Sequence, residues 1–284
     1  MKKLSSILIV ISALLLLSSC TSFNEVDEKA VKDVSDKITE AIINTVGKDS
    51  VEKQESFNIA AESLNSLNIE SSIGDITIKT HESTEAIISL NIIAKSSSKE
   101  NAQKLIDEFT YKVDENLNSI NIDTTFEDDK LLDNSNIQTE LTISLPKNIN
   151  NFTISLNAGD IDIINNEGSF EINNNVGDIN IENAAGSYDL STNVGNISLI
   201  NSIASGTSTF NSNTGDLEVS FSDISNSDNI KANLNVGEIK FTVPDDSNYE
   251  AVINEFMKDE RTEVNGSKKT KIELKTDVGS ITFK

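Results

Sequence analysis

The chain is predicted to be all-β. The expected fold is a β-solenoid of about 18–22-residue coils with an irregular N-terminal part and one or two short helices. Two observations carry this. A four-residue phrase recurs as Ala158-Gly159-Asp160-Ile161, Val176-Gly177-Asp178-Ile179, Val194-Gly195-Asn196-Ile197, Thr214-Gly215-Asp216-Leu217 and Val236-Gly237-Glu238-Ile239, with glycine steps of 18, 18, 20 and 22 residues. A period of that length marks a structural unit stacked along an axis. Around each glycine, apolar residues stand seven and five positions before and two and four after, as in Phe170, Ile172, Ile179 and Ile181. Steps of two put those side chains on one side of a strand. Regularly spaced hairpins in an antiparallel sandwich are the alternative. Register of residue types over several coils favours the solenoid.

Within a coil, the phrase reads as strand, tight turn, strand. Glycine tolerates φ > 0, and Asn and Asp bond nearby backbone. The turn positions are Gly159, Gly177, Gly195, Gly215 and Gly237, with outlying copies at Gly74 and Gly279. Two residues before the glycines stand Asn157, Asn175, Asn193, Asn213 and Asn235. Stacked coils would bring these amides about 4.8 Å apart and into a ladder. Asn165, Asn183 and Asn201 form a second, shorter column, and Gly168 and Gly186, with Gly206 as a looser counterpart, close the other side of the coil.

Taken in order, Met1 to Ser19 reads as a leader: Lys2 and Lys3, then an apolar run from Leu4 to Leu17 too short for a comfortable membrane span. It ends in Leu17-Ser18-Ser19-Cys20, which resembles the bacterial lipobox. That resemblance implies a signal peptide over 1–19, diacylglycerol on the Cys20 thiol, carrying fatty acid such as palmitate, and cleavage before Cys20. The alternative is an ordinary secretory leader. Cys20 is the single cysteine, so no intramolecular disulfide can form. Residues 20–56 are expected to be a polar stalk carrying a helix with Val31, Val34, Ile38, Ile42 and Val46 on one face. The domain is expected over 57–284. Strands are predicted around Leu67–Glu70, Ile76–Ile78, Ala86–Ala94, Tyr111–Val113, Asn118–Thr124 and Gln138–Leu145, with a loop at Glu127–Lys130. A helix from Ser97 to Phe109 is N-capped by Ser98. This first half would cover one end of the stack, where sheet edges otherwise lie open. Between Asp245 and Thr270 the repeat is interrupted; Asn248–Met257 fits strand or helix, and Glu263–Ser267 reads as a turn.

The repeated Val-Gly-Asp-Ile phrases, each followed by an alternating residue and another aliphatic, resemble the DUF4097 family of adhesin-like bacterial envelope proteins, over roughly Phe57 to Lys284. The resemblance implies a β-solenoid and a cell-surface setting, and brings no catalytic residue with it.

Charge narrows the partners. A formal charge of −23, with Arg261 the sole arginine, repels phosphate backbones and argues against nucleic acid. His81 is the only histidine and lies in a polar stretch without the carboxylate and hydroxyl of a triad. Cys/His clusters for zinc and a Gly-rich phosphate loop are absent from the sequence. Asp160, Asp178 and Asp216 stack one per coil and are a weak calcium candidate, although Asp after Gly is routine turn chemistry. No cofactor is expected. The expected function is a lipid-anchored, non-enzymatic adhesin-like or scaffold role on the outer side of the cell membrane, meeting an envelope protein or glycan. Outward columns such as Asp162, Asn180, Ser198, Glu218 and Lys240 suit polar contacts. A glycan-active solenoid enzyme and a purely structural spacer are the alternatives.

Overall fold

Alternation of buried and exposed side chains runs through almost every strand of the computed structural model, which describes residues 49–116, 118–125, 135–267 and 269–284. These hold seventeen strands and one α-helix. The strands before the regular coils are β1 (Asp49–Ala60), β2 (Ser66–Ser71), β3 (Asp75–His81), β4 (Glu85–Ser96), β5 (Lys112–Asn116), β6 (Ser119–Thr124) and β7 (Asn136–Pro146). Helix α1 spans Lys99–Glu108, between β4 and β5. The coils follow as β8 (Asn151–Ala158), β9 (Ile161–Ile164), β10 (Glu167–Val176), β11 (Ile179–Glu182), β12 (Ala185–Val194), β13 (Ile197–Thr214) and β14 (Leu217–Thr242). At the end stand β15 (Tyr249–Asn254), β16 (Arg261–Asn265) and β17 (Thr270–Phe283).

The chain winds as a β-solenoid with two parallel faces. On the first, β6, β2, β8, β10 and β12 pair in that order, and the later parts of β13 and β14, the start of β17 and then β15 continue it. On the second, β7, β3, β9 and β11 are followed by the starts of β13 and β14. Like stacks on like: Ile161 pairs with Ile179, Ile179 with Ile197, and Ile197 with Leu217. The coil around Gly74 does not stand apart. Ile76 pairs with Ile161, so β2 and β3 stack directly on β8 and β9 across a sequence separation of 85.

The coils bend at a positive-φ glycine (φ 141° at Gly159, 129° at Gly177), and the regular ones also at a second glycine (Gly168, Gly186) and at a left-handed asparagine (Asn165, Asn183 and Asn201, φ 58°, 53° and 50°). Asparagine is among the few side chains that tolerate that region. Between the faces runs an aromatic spine. Phe152 and Phe170 stack at 4.7 Å, close to the spacing between strands, and Phe170 and Tyr188 at 5.4 Å. Where the column reaches Ser208, Phe221 fills the space, 6.2 Å from Tyr188 and 5.8 Å from Phe241. The longer coils supply that ring, and the register between β13 and β14 shifts around it.

Antiparallel strands stand at both ends of the described stack. At the first, β7–β4–β1 and β6–β5 extend the two faces. Helix α1, with Ser98 as N-cap and Ala102, Leu105 and Ile106 buried, packs on β4 and β1. At the other, β16 pairs antiparallel with β15.

Some boundaries differ from expectation. Residues 49–56, read as stalk, form the first half of β1. The inward positions there carry Lys53 and Glu55, paired at 3.0 Å, so the apolar alternation is hidden. Asn248–Met257 resolves into strand β15, and Glu263–Asn265 belongs to strand β16, with the turn following at Gly266. The leader, Cys20, the helix expected around Val31–Val46 and the loop at Glu127–Lys130 lie outside the described residues.

Candidate functional site

The outward columns are ordered by hydrogen bonds between coils. Asn175 Nδ2 donates to Asn157 Oδ1 at 3.0 Å, Asn193 to Asn175 at 2.6 Å, Asn213 to Asn193 at 2.7 Å and Asn235 to Asn213 at 2.9 Å. This ladder lies in solvent. In the second asparagine column, Asn201 donates to Asn183 at 2.7 Å.

The acidic column just after the glycines has a structural task. Backbone N–H groups of Asp178, Asn196, Asp216 and Glu238 donate to Oδ1 of Asp160, Asp178, Asn196 and Asp216, at 2.7–2.8 Å. Asp75 likewise accepts from Asp160 N–H at 3.1 Å. Each carboxylate therefore ties its own coil to the next. No three Asp, Glu, His or Cys side chains among the described residues are grouped to hold a metal ion.

Beneath the surface, polar side chains three positions before the glycines satisfy the turns. Asn174 Nδ2 donates to Gly159 O at 2.8 Å, and Ser212 Oγ to Gly195 O at 3.2 Å. A Cβ on Gly177 would overlap the Gly159 carbonyl oxygen, and one on Gly195 would overlap that of Gly177. The turn glycines are thus required both by φ and by close coil-to-coil approach.

Other candidates fall into place individually. His81 Nε2 lies 2.7 Å from Glu85 O, within a turn. Tyr188 is buried in the spine, its hydroxyl donating to Ile203 O at 3.1 Å, and burial pushes its pKa well up. Glu255, 4% exposed, accepts from Lys258 at 2.6 Å and lies 3.5 Å from Arg261. Those partners, with the Lys258 hydrogen bond foremost, hold its carboxyl below the usual range.

The first face carries a shallow groove of about 500 Å³, lined among others by Ser155, Asn157, Asn173, Asn175, Ser191 and Asn193. Beside the Asn ladder stand half-exposed valines: Val176 (47%), Val194 (51%) and Val236 (46%). Sequence reasoning treated these valines only as turn residues. Their exposure follows from the corner, where both residues preceding the glycine turn outward. The second face has a smaller, charged hollow of about 260 Å³ that includes Asp178, Asp216, Glu218, Glu238 and Lys240.

Residues 165–284 match the Toastrack DUF4097 family. Solved structures that the chain is similar to include a candidate adhesin of Bacteroides fragilis, at 14% identity and TM-score 0.40, covering 82% of this chain and 97% of that one. Others are a candidate cell adhesion protein of Clostridium sporogenes (15% identity, TM-score 0.34, 83% and 99% covered) and a candidate lipid-binding protein of Parabacteroides distasonis (13%, 0.32, 81% and 94%). No curated protein matches the chain.

Proposed function

We propose that this chain, Toastrack-like from residue 165 to its end, is a non-enzymatic binding module, held by lipid on Cys20 at the outer side of a bacterial membrane. The observation that carries the reading is the laddered surface: outward side chains repeat in register from Asn157 to Asn235, each fixed by its neighbours in adjacent coils. Rows of pre-ordered polar groups lose little side-chain entropy when a ligand lands on them. Such a surface suits recognition of something long or repeated. The Leu17-Ser18-Ser19-Cys20 phrase and the acidic, polar stretch after it support display at an envelope surface.

The test is to express the full chain in a bacterium, isolate the lipidated protein with its membranes and expose it to envelope extracts. Reproducible retention of one protein or glycan supports the reading. Release of sugar or peptide products would replace it with the enzyme, and retention of nothing would leave a spacer.

A further inference from the structure

We propose that the first face binds a neutral polysaccharide chain lying along the solenoid axis, about one sugar per coil; this rests on the binding role proposed above. The argument begins with charge. Each coil presents three outward positions at this corner, four, two and one residues before the turn glycine. In all five coils from Ser155 to Val236 none of them is charged; they are Asn, Ser, Thr, Ala or Val. The chain as a whole is 24% charged and carries −23, so five coils without charge at these positions stand out against its composition. Charges return at both ends, with Glu70 in the coil below and the Lys275–Asp277 pair (2.7 Å) in the coil above. The ladder itself requires only the Asn column. It does not explain the neutrality of the columns on either side.

The chemistry of the strip is amide beside aliphatic. Each laddered amide uses one N–H and one lone pair along the stack and keeps one of each for a ligand. The half-exposed valines run parallel to it. Successive rungs are about 4.8 Å apart, close to the length of one pyranose in an extended β-linked chain. A sugar offers hydroxyls at its rim and C–H groups on its face, which match the two kinds of rung. An extended peptide fits less well. It recognises sheets through an open edge, whereas the strands under this strip are paired on both sides. Anionic polymers are repelled by the net charge, and cationic ones find no carboxylate on the strip. No aromatic residue stands in these columns, so each sugar contributes little and affinity must accumulate with length.

The test measures binding of the full chain to β-1,4-linked N-acetylglucosamine dimer, tetramer and hexamer. Affinity should rise with length. The double variant Ser155→Lys/Asn173→Glu keeps the net charge and puts a charged pair on the strip; it should weaken hexamer binding by about tenfold or more, because the sugar would have to strip water from both charges and lose the amide contact at 173. Asn180→Lys/Ser198→Glu, on the second face, should leave it unchanged. Melting temperatures verify folding, and Val194→Lys replaces the first variant if that one melts early. Equal affinity for dimer and hexamer, or equal loss in the two double variants, overturns the proposal. If the hexamer is not bound while an envelope protein is captured, this inference falls and the binding role stands. If neither is bound, both fall.

Discussion

At the turn glycines, two physical demands coincide. Gly177 has φ 129°, and its missing Cβ makes room for the Gly159 carbonyl oxygen. A valine there meets conformational strain of about 1–2 kcal/mol and a clash with backbone that cannot rotate away. Gly177→Val is expected to cost about 3 kcal/mol or more in total, read as a large fall in melting temperature. Neighbouring coils share the stack, so hydrogen-exchange protection should fall in them too. Asn180 points outward and donates to Asp162 at 3.0 Å. Asn180→Ser should therefore stay within about 0.5 kcal/mol. Equal tolerance at the two positions would contradict the register. Asp178 gives a finer test, because its carboxylate accepts Asn196 N–H at 2.7 Å. Asp178→Ala should cost about 1 kcal/mol, while Asp178→Asn should cost little, as Asn196 already fills the same role one coil on.

Among the elements, the last coil poses a problem the others do not. In the interior, Ile161 and Ile179 donate their N–H to the backbone oxygens of Asp178 and Asn196 in the next coil, both at 2.9 Å. Ile281 stands in the last coil among the described residues. The Glu255 carboxylate, in the turn after β15, is held by Lys258 and Arg261, and the Ile281 N–H adds to what keeps its pKa low. A charged side chain thus blunts an open sheet edge. Because the folded carboxyl lies below its unfolded value, its stabilisation is complete above about pH 4.3 and disappears as pH falls through the folded value. Glu255→Gln should cost roughly 1 kcal/mol at neutral pH, allowing for the exposed Lys258 and Arg261. The gap in melting temperature from the parent chain should close as pH falls from about 4.3 through the lowered folded value. A gap independent of pH would remove the carboxylate from this role.

For the molecule as a whole, anchoring is the decisive expectation. If Cys20 carries lipid, Cys20→Ala should abolish fatty-acid labelling and move the protein from the membrane to the soluble fraction. Unchanged palmitate incorporation in that variant would refute the anchor. With −23 on the chain, surface charge would be repelled by an anionic membrane, so no electrostatic attraction should replace the lipid in that variant.

The sequence by itself determined the coil: strand period, turn glycines, the Asn column and the apolar positions around each glycine are all local patterns repeated in register, and parallel stacking places equal residues above one another. Helix α1 and its cap at Ser98 were legible for the same reason, since a 3.6-residue period and an N-cap are local. Tertiary structure alone decided what joins across long separations. Nothing local says that the coil around Gly74 stacks on the one around Gly159, that Phe221 completes the spine beside Tyr188, or that Glu255 finishes the last coil. Those contacts depend on which strand ends lie open after the regular coils have formed. The candidate site divides the same way. Its asparagines were visible as a column, but the neutral strip beside the exposed valines emerged only when the corner geometry turned both residues before the glycine toward solvent.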